Sequence, residues 1–398
     1  MTIQSKITID QLKEQLDEGQ EFLFFDVRPR EEHQRWKLEA RGDQRELNVP
    51  YREMAPQGGQ NDPIGTIQKY VKSKLSNELS QDREIITLCA QGISSEDVTQ
   101  ALVGLGFRAK TLIGGMSSWG LFYEFKPVIE SKALSLYQVS RPARGCLGYV
   151  VASGSKAIVI DPLRHTEPYL DFAQEKSLKI EAVLDTHGHA DHISGGRALA
   201  DAVGVHYFLH PYDAIHPIDV LPATIDFEYL RDGQELSVGD IRIEALHIPG
   251  HTLGNIAFRV NQKYLITGDS IFISSIARPD LGGRGDLWAP IHYRSLTRLL
   301  ALPDQILVLP GHFSKPAEAN GDGLYVASLG SLKATNEGLQ IVRRGEKAFV
   351  EYILKNLPEF PPQYIEIKRV NAGLLKPDED KASELELGRN ICALAKAY

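Results

Sequence analysis

Short apolar runs separated by polar turns dominate the chain, and their spacing is that of strands alternating with helices. Phe22-Leu23-Phe24-Phe25-Asp26 and Ile85-Ile86-Thr87-Leu88-Cys89 are nearly unbroken apolar runs, the pattern of strands buried on both faces. An amphipathic helix is predicted over residues 97–105, after the second run. Strand, helix and strand in that order predict a small parallel sheet covered on both sides. The pattern changes near Phe125-Lys126-Pro127-Val128. Beyond it, strands are predicted at 134–139, 147–152, 156–160, 240–246, 256–260 and 264–267. Helices are expected over 168–177 and 338–357. No internal repeat or low-complexity segment interrupts this, so the seam near Val128 divides the chain into 1–128 and 129–398.

Composition narrows the class without naming a chemistry. A chain of 398 residues exceeds the size at which one core stops growing, which again predicts two domains. Its 42% hydrophobic and 24% charged residues are those of a folded globular protein. The net charge of -8, with no Lys/Arg block, argues against a nucleic-acid partner. No apolar run approaches a membrane span, and Met1-Thr2-Ile3-Gln4-Ser5-Lys6 lacks a signal-peptide core, so the expectation is a cytoplasmic protein away from membranes. The 3 cysteines, Cys89, Cys146 and Cys392, are too few and too scattered for a disulfide framework.

The chemistry concentrates in Thr186-His187-Gly188-His189-Ala190-Asp191-His192, which follows the apolar run Ile180-Glu181-Ala182-Val183-Leu184. A strand feeding this loop aims imidazoles and a carboxylate from a rigid edge, and close ligand types with nothing to bind are costly to bury. Further candidates follow other strands, each just after a glycine: His251 in Pro249-Gly250-His251, Asp269 in Gly268-Asp269, His312 in Gly311-His312. A glycine-flanked turn explains any one of them; together they point to a metal.

From about residue 130 onward the chain resembles the metallo-β-lactamase superfamily, with its metal-site stations in order. The resemblance implies an αβ/βα sandwich with the site at one edge of two sheets, and two ligand schemes. In one, His187, His189 and His251 hold a first metal, Asp191, His192 and His312 a second, and Asp269 bridges two zinc ions for thioester hydrolysis of the glyoxalase II type. In the other, His187, His251 and Asp269 hold one ferrous ion with positions open for a thiol and dioxygen. Ligand types alone leave both open.

Two stretches tilt the choice. Residues 270–283 resemble the Gly-Arg-x-Asp segment of persulfide dioxygenases, with Ala277 in place of the usual glycine; by that resemblance Arg278 meets a substrate carboxylate. Upstream, Cys89-Ala90-Gln91-Gly92-Ile93-Ser94-Ser95 ends a strand and starts a helix, so backbone N–H groups and a helix N-terminus would favour a thiolate. With Asp26-Val27-Arg28 and Leu112-Ile113-Gly114-Gly115-Met116-Ser117-Ser118-Trp119, this loop makes residues 6–125 resemble a rhodanese. The resemblance implies an α/β domain in which Cys89 carries a sulfane sulfur and the loop from Ala90 to Ser95 binds it, with Asp26 and Arg28 bracing the backbone. Trp36-Lys37-Leu38-Glu39 replaces the family's usual Gly-His-Ile, and Ala90 and Gln91 stand where thiosulfate-using members carry cations, which favours organic persulfides.

Together the resemblances imply a fusion enzyme of sulfur metabolism. Its rhodanese domain would exchange sulfur with small thiols, thiosulfate or sulfite. Its second domain would use one Fe(II) and dioxygen to oxidise glutathione persulfide or a similar persulfide to sulfite. His189, Asp191, His192 and His312 would then surround the ligands rather than bind the metal. A non-catalytic sulfur-binding sensor is the third class. Cys146 is read as packing or bordering the site, and Cys392 as packing alone. A homodimer is expected from the superfamily.

Overall fold

The computed structural model describes residues 5–55, 62–388, 390, 392 and 393. Contacts divide the chain into two compact units: Met1–Phe122 with Pro142–Arg144 and Leu387–Arg389, and Tyr123–Arg141 with Gly145–Glu386 and Asn390–Tyr398.

The first unit is built on strands Lys6–Ile7 (β1), Phe22–Asp26 (β2), Arg45–Asn48 (β3), Glu84–Leu88 (β4) and Ala109–Leu112 (β5), ordered β1-β5-β4-β2-β3. All four pairings are parallel. The strand period of two explains why the runs read as continuously apolar. Leu23, Phe25 and Ile85 pack with Ile67, Val71, Val98 and Leu102 of helices Pro63–Lys74 and Ser94–Gly104. Phe22, Phe24, Ile86 and Leu88 face Leu12, Leu16, Met116 and Trp119 of helices Ile9–Asp17 and Gly115–Gly120.

The second unit stacks two sheets. One runs in sequence order through Glu124–Glu130 (β6), Ser135–Arg141 (β7), Cys146–Ser153 (β8), Lys156–Ile160 (β9), Lys179–Leu184 (β10), His206–Leu209 (β11) and Glu228–Tyr229 (β12). The other runs through Glu235–Val238 (β13), Ile241–His247 (β14), Ile256–Val260 (β15), Tyr264–Gly268 (β16), Leu307–Pro310 (β17) and Ala327–Ser328 (β18). Tyr149, Val151, Ile158 and Ile160 of the first sheet meet Ile243, Ile256, Phe258 and Ile266 of the second in a shared core. The alternate residues Val150, Ala152, Ala157 and Val159 pack outward on helix Glu167–Glu175, and Leu246, Ala257, Leu265 and Val308 pack outward on helices Gly285–Leu300 and Glu346–Lys355. Helix, sheet, sheet and helix make this unit an αβ/βα sandwich.

Two details differ from the sequence expectation or qualify it. The helix expected over 338–357 is two helices, Glu337–Val342 and Glu346–Lys355, because Gly345 adopts φ 98°, which a helix cannot continue through. Strand β6 continues across residues 128 and 129, with a shift of register between Pro127 and Ile129, while the division by contacts falls between Phe122 and Tyr123. Among the described residues, no helix is long and apolar enough to cross a membrane.

Candidate functional site

The strand ends on one edge of the sandwich deliver the ligand-type side chains. His187 follows β10, His251 follows β14, Asp269 follows β16 and His312 follows β17, while Cys146 opens β8 and bridges to His312. All are buried.

His187, His251 and Asp269 form one group, with a donor atom of each within 4.8 Å of the others. The tautomer of each histidine follows from its other nitrogen. Asp161 accepts from the Thr186 backbone N–H at 2.6 Å and from the Thr186 hydroxyl at 2.9 Å, so that hydroxyl in turn accepts from His187 Nδ1–H at 2.9 Å. His251 Nδ1–H donates to the Arg278 carbonyl at 2.7 Å. Both Nε2 lone pairs are left bare, at 3.9 Å (His187) and 3.4 Å (His251) from Asp269 Oδ2. None of these three atoms has a hydrogen-bond partner. Burial, with His189, His251 and Lys368 adding to it, pushes His187 well below the usual imidazole range; burial also lowers His251 against the pull of Asp269. Three buried, converging, unprotonated acceptors repel one another unless a cation joins them, so the donor set fits a divalent metal.

His189 belongs elsewhere. Its Nε2 lies 3.3 Å from Asp161 and 3.9 Å from Asp185, the group with which it clusters, although its ring centroid is only 4.2 Å from that of His187. Burial raises the Asp185 carboxyl to about 6, and its Oδ2 accepts from Ser194 and Tyr207.

Asp191, His192, His312 and Cys146 form a second group. Asp191 lies 3.2 Å from His192 Nδ1 and 2.7 Å from His312 Nε2, and Cys146 Sγ is 3.5 Å away. His312 Nδ1 donates to Asp269 Oδ1 at 2.6 Å. Burial works against charge here, yet His312 and His192 hold Asp191 well below the usual carboxylate range. The reciprocal attractions, led by Cys146 and Asp191 at His192 and by Asp191 and Asp269 at His312, hold both imidazoles well above theirs. Cys392, expected only to pack, borders the centre: its Sγ groups with Asp269 and His312.

Arg278, expected to meet a substrate carboxylate, is paired within the protein. Its side chain is fully buried, Nε and Nη2 donate to Asp280 at 2.7 and 2.8 Å, and further bonds go to the Pro358 and Glu359 carbonyls. A substrate carboxylate would have to displace Asp280, so what Arg278 gives the site is its backbone carbonyl, which orients His251.

Sequence reasoning missed Asp161, Asp185, Asp213 and Lys368. Asp161 carried the same signal as the ligands, a carboxylate directly after the buried strand β9, and its φ of 50° marks an unusual turn. Asp213 ties two site loops together by accepting from Gly188 N–H, Thr252 Oγ1 and Gly254 N–H. Lys368, on helix Gln363–Asn371, donates to the Gly188 carbonyl at 2.6 Å across 180 residues of chain and has no local signature.

In the first unit, Cys89 Sγ accepts from Gly92 N–H at 3.0 Å and Ser95 Oγ at 3.3 Å, beside the start of helix Ser94–Gly104. Burial raises the thiol, but the hydroxyl of Ser95 and the N–H groups of Ser95, Gln91 and Gly92 outweigh it, and its pKa is lowered. Ala90 and Gln91 are exposed, as is Ile93 at the loop tip, and Ser94 is partly buried. Gly115, at φ 54°, packs so closely on the Cys89 carbonyl that a Cβ would stand 2.2 Å from it. Asp26 and Arg28 pair with each other, Arg28 also donating to the Trp36 carbonyl, and Asn48 donates to the carbonyls of both. They brace backbone.

The family comparisons agree with this architecture. Residues 141–312 match the model of the metallo-beta-lactamase superfamily, and residues 8–121 match that of the rhodanese-like domain. The chain carries a rhodanese-like domain followed by a domain of the metallo-β-lactamase superfamily. It is 35% identical over 193 residues to an uncharacterized protein of Mycobacterium leprae, covering 42% of this chain and 86% of that one. It is 27% identical over 254 residues to a hydroxyacylglutathione hydrolase of Pelagibacter ubique, covering 62% and 96%. A metallo-beta-lactamase structure from Staphylococcus aureus superposes with a TM-score of 0.53 at 27% identity, covering 60% of this chain and 72% of that one.

Proposed function

We propose that the second unit is a persulfide dioxygenase and the first a sulfurtransferase that exchanges sulfane sulfur through Cys89. The observation that carries the reading is the set of bare acceptors, His187 Nε2, His251 Nε2 and Asp269 Oδ2. Two imidazoles and one carboxylate would hold one ferrous ion, which when bound lets a thiolate and dioxygen meet at one centre. The net reaction balances as R–S–SH with O2 and H2O giving R–SH and sulfurous acid, present as sulfite at neutral pH.

The chain's own groups divide the remaining work. Thr186 and the Arg278 carbonyl fix the two histidine tautomers; Asp161 and Asp185 draw His189 aside. His312 holds Asp269 Oδ1, leaving Oδ2 bare. In the first unit, the Gly92 N–H and the Ser95 hydroxyl would stabilise the anionic sulfur on Cys89, and the absence of a cation from Ala90 and Gln91 favours small organic persulfides over thiosulfate as donor.

A dinuclear zinc thioester hydrolase of the hydroxyacylglutathione type is the competing reading, and the likeness to such hydrolases and the second ligand group favour it. His189 Nδ1 and Nε2, His192 Nε2 and His312 Nε2 are likewise buried without hydrogen-bond partners, and this reading needs them, with Asp191, to turn from the carboxylates beside them to metal.

Metal content and oxygen uptake separate the two. The purified enzyme is expected to carry about one iron per chain and to consume dioxygen with glutathione persulfide, and His251→Ala to lose both. Unchanged oxygen uptake in the variant, or zinc with cleavage of S-lactoylglutathione and no oxygen uptake, overturns the reading.

A further inference from the structure

Lys368 is an under-partnered buried cation next to the metal loop. Only 8% exposed, it hydrogen-bonds the Gly188 carbonyl, between His187 and His189. An ammonium has three donors, and among the described residues no carboxylate forms an ion pair with it. The nearby Asp213 carboxylate already accepts from three other donors. A buried positive charge without a counter-charge is costly unless something else completes it.

Lys368 also lines a cavity of about 210 Å³ whose other walls include Tyr212, Ile215, Val220, Leu253 and Trp288. Tyr212 and Val220 are exposed at its rim, and Trp288 is buried. Asp213, His216 and Thr252 also line it; with the Asp213 carboxylate already taken by three donors, mostly apolar walls and the Lys368 ammonium suit a small molecule with an uncharged stem and an anionic end. The other cation expected to serve, Arg278, is closed off by Asp280.

We propose that this cavity binds the thiol-carrier half of the persulfide substrate, with Lys368 Nζ taking its anionic end while the stem lies against Trp288 and Leu253. The assignment rests on the persulfide reading only for the word substrate; the binding it describes is testable without turnover.

The test is anaerobic calorimetry on the full iron-loaded chain. Glutathione, its diethyl ester, which keeps the stem but not the carboxylates, and phosphopantetheine, which ends in phosphate, are the probes. Lys368→Met is expected to weaken the anionic probe that the wild type binds by roughly ten- to hundredfold, the worth of a charged hydrogen bond. Binding of the ester is expected to be unchanged, and Lys368→Arg to restore most of the loss. Preference for glutathione or for phosphopantetheine tells a carboxylate end from a phosphate one. The proposal is overturned if the wild type binds neither anionic probe, if Lys368→Met binds them as the wild type does, or if it loses the ester equally, since that marks a structural role. Charge-selective loss in a wild type that takes up no oxygen overturns the dioxygenase reading and leaves the cavity assigned. Oxygen uptake with an unaltered KM for glutathione persulfide in Lys368→Met does the reverse.

Discussion

The two donor groups at the sandwich edge both combine two histidines with an aspartate, the second adding Cys146, and are equally buried, yet their imidazoles are shifted in opposite directions. His187 and His251 are kept neutral, and with Asp269 Oδ2 they present atoms without partners. His192 and His312 face Asp191, whose carboxylate helps raise both above the usual imidazole range. The difference comes from what stands behind each ring: a hydroxyl and a backbone carbonyl behind the first pair, carboxylates beside the second. Ligand residues in a row do not define a metal site; the groups that receive their other protons do.

The largest effect expected from breaking this comparison is at Asp191. Asp191→Asn removes the counter-charge of two buried imidazolium groups, so the iron-loaded chain is expected to lose about 3–5 kcal/mol in denaturant unfolding. Its iron content should stay that of the wild type. Loss of the iron together with the stability would show that the groups act as one dinuclear site. A smaller effect sharpens the other side. Thr186→Val keeps the shape of the side chain but takes away the acceptor of His187 Nδ1–H, and iron affinity in a chelator competition is expected to fall about 10- to 100-fold. An affinity equal to the wild type would mean that the hydroxyl does not set the tautomer.

Much of the site was legible because its signals are local. His187, His251, Asp269 and His312 each follow a strand, and Cys89 sits between an apolar strand and a helix start, so period and turn chemistry located them. The two-sheet sandwich was implied by the family resemblance, while the strand period located only the separate strands. Reading failed where the decisive partner is remote or folds back. Nothing in the run Arg278-Pro279-Asp280 says that the carboxylate two residues on will close the guanidinium. Lys368 looks like any solvated helix lysine until the helix is laid against Gly188. The division of the histidine loop itself, with His187 toward Asp269 and His189 toward Asp161, depends on strands β9 and β16 arriving on either side of it. Gly345 lies at the break in the 338–357 helix, but a lone glycine inside a helical pattern is often tolerated and so does not by itself predict one.

The central claim is that only one of the two groups takes a metal. The most direct measurement is the metal-to-chain ratio after anaerobic loading with excess ferrous iron, and separately with excess zinc, followed by removal of loosely held ions. The account expects about one tightly held ion per chain in both cases. Two tightly held ions per chain would contradict it.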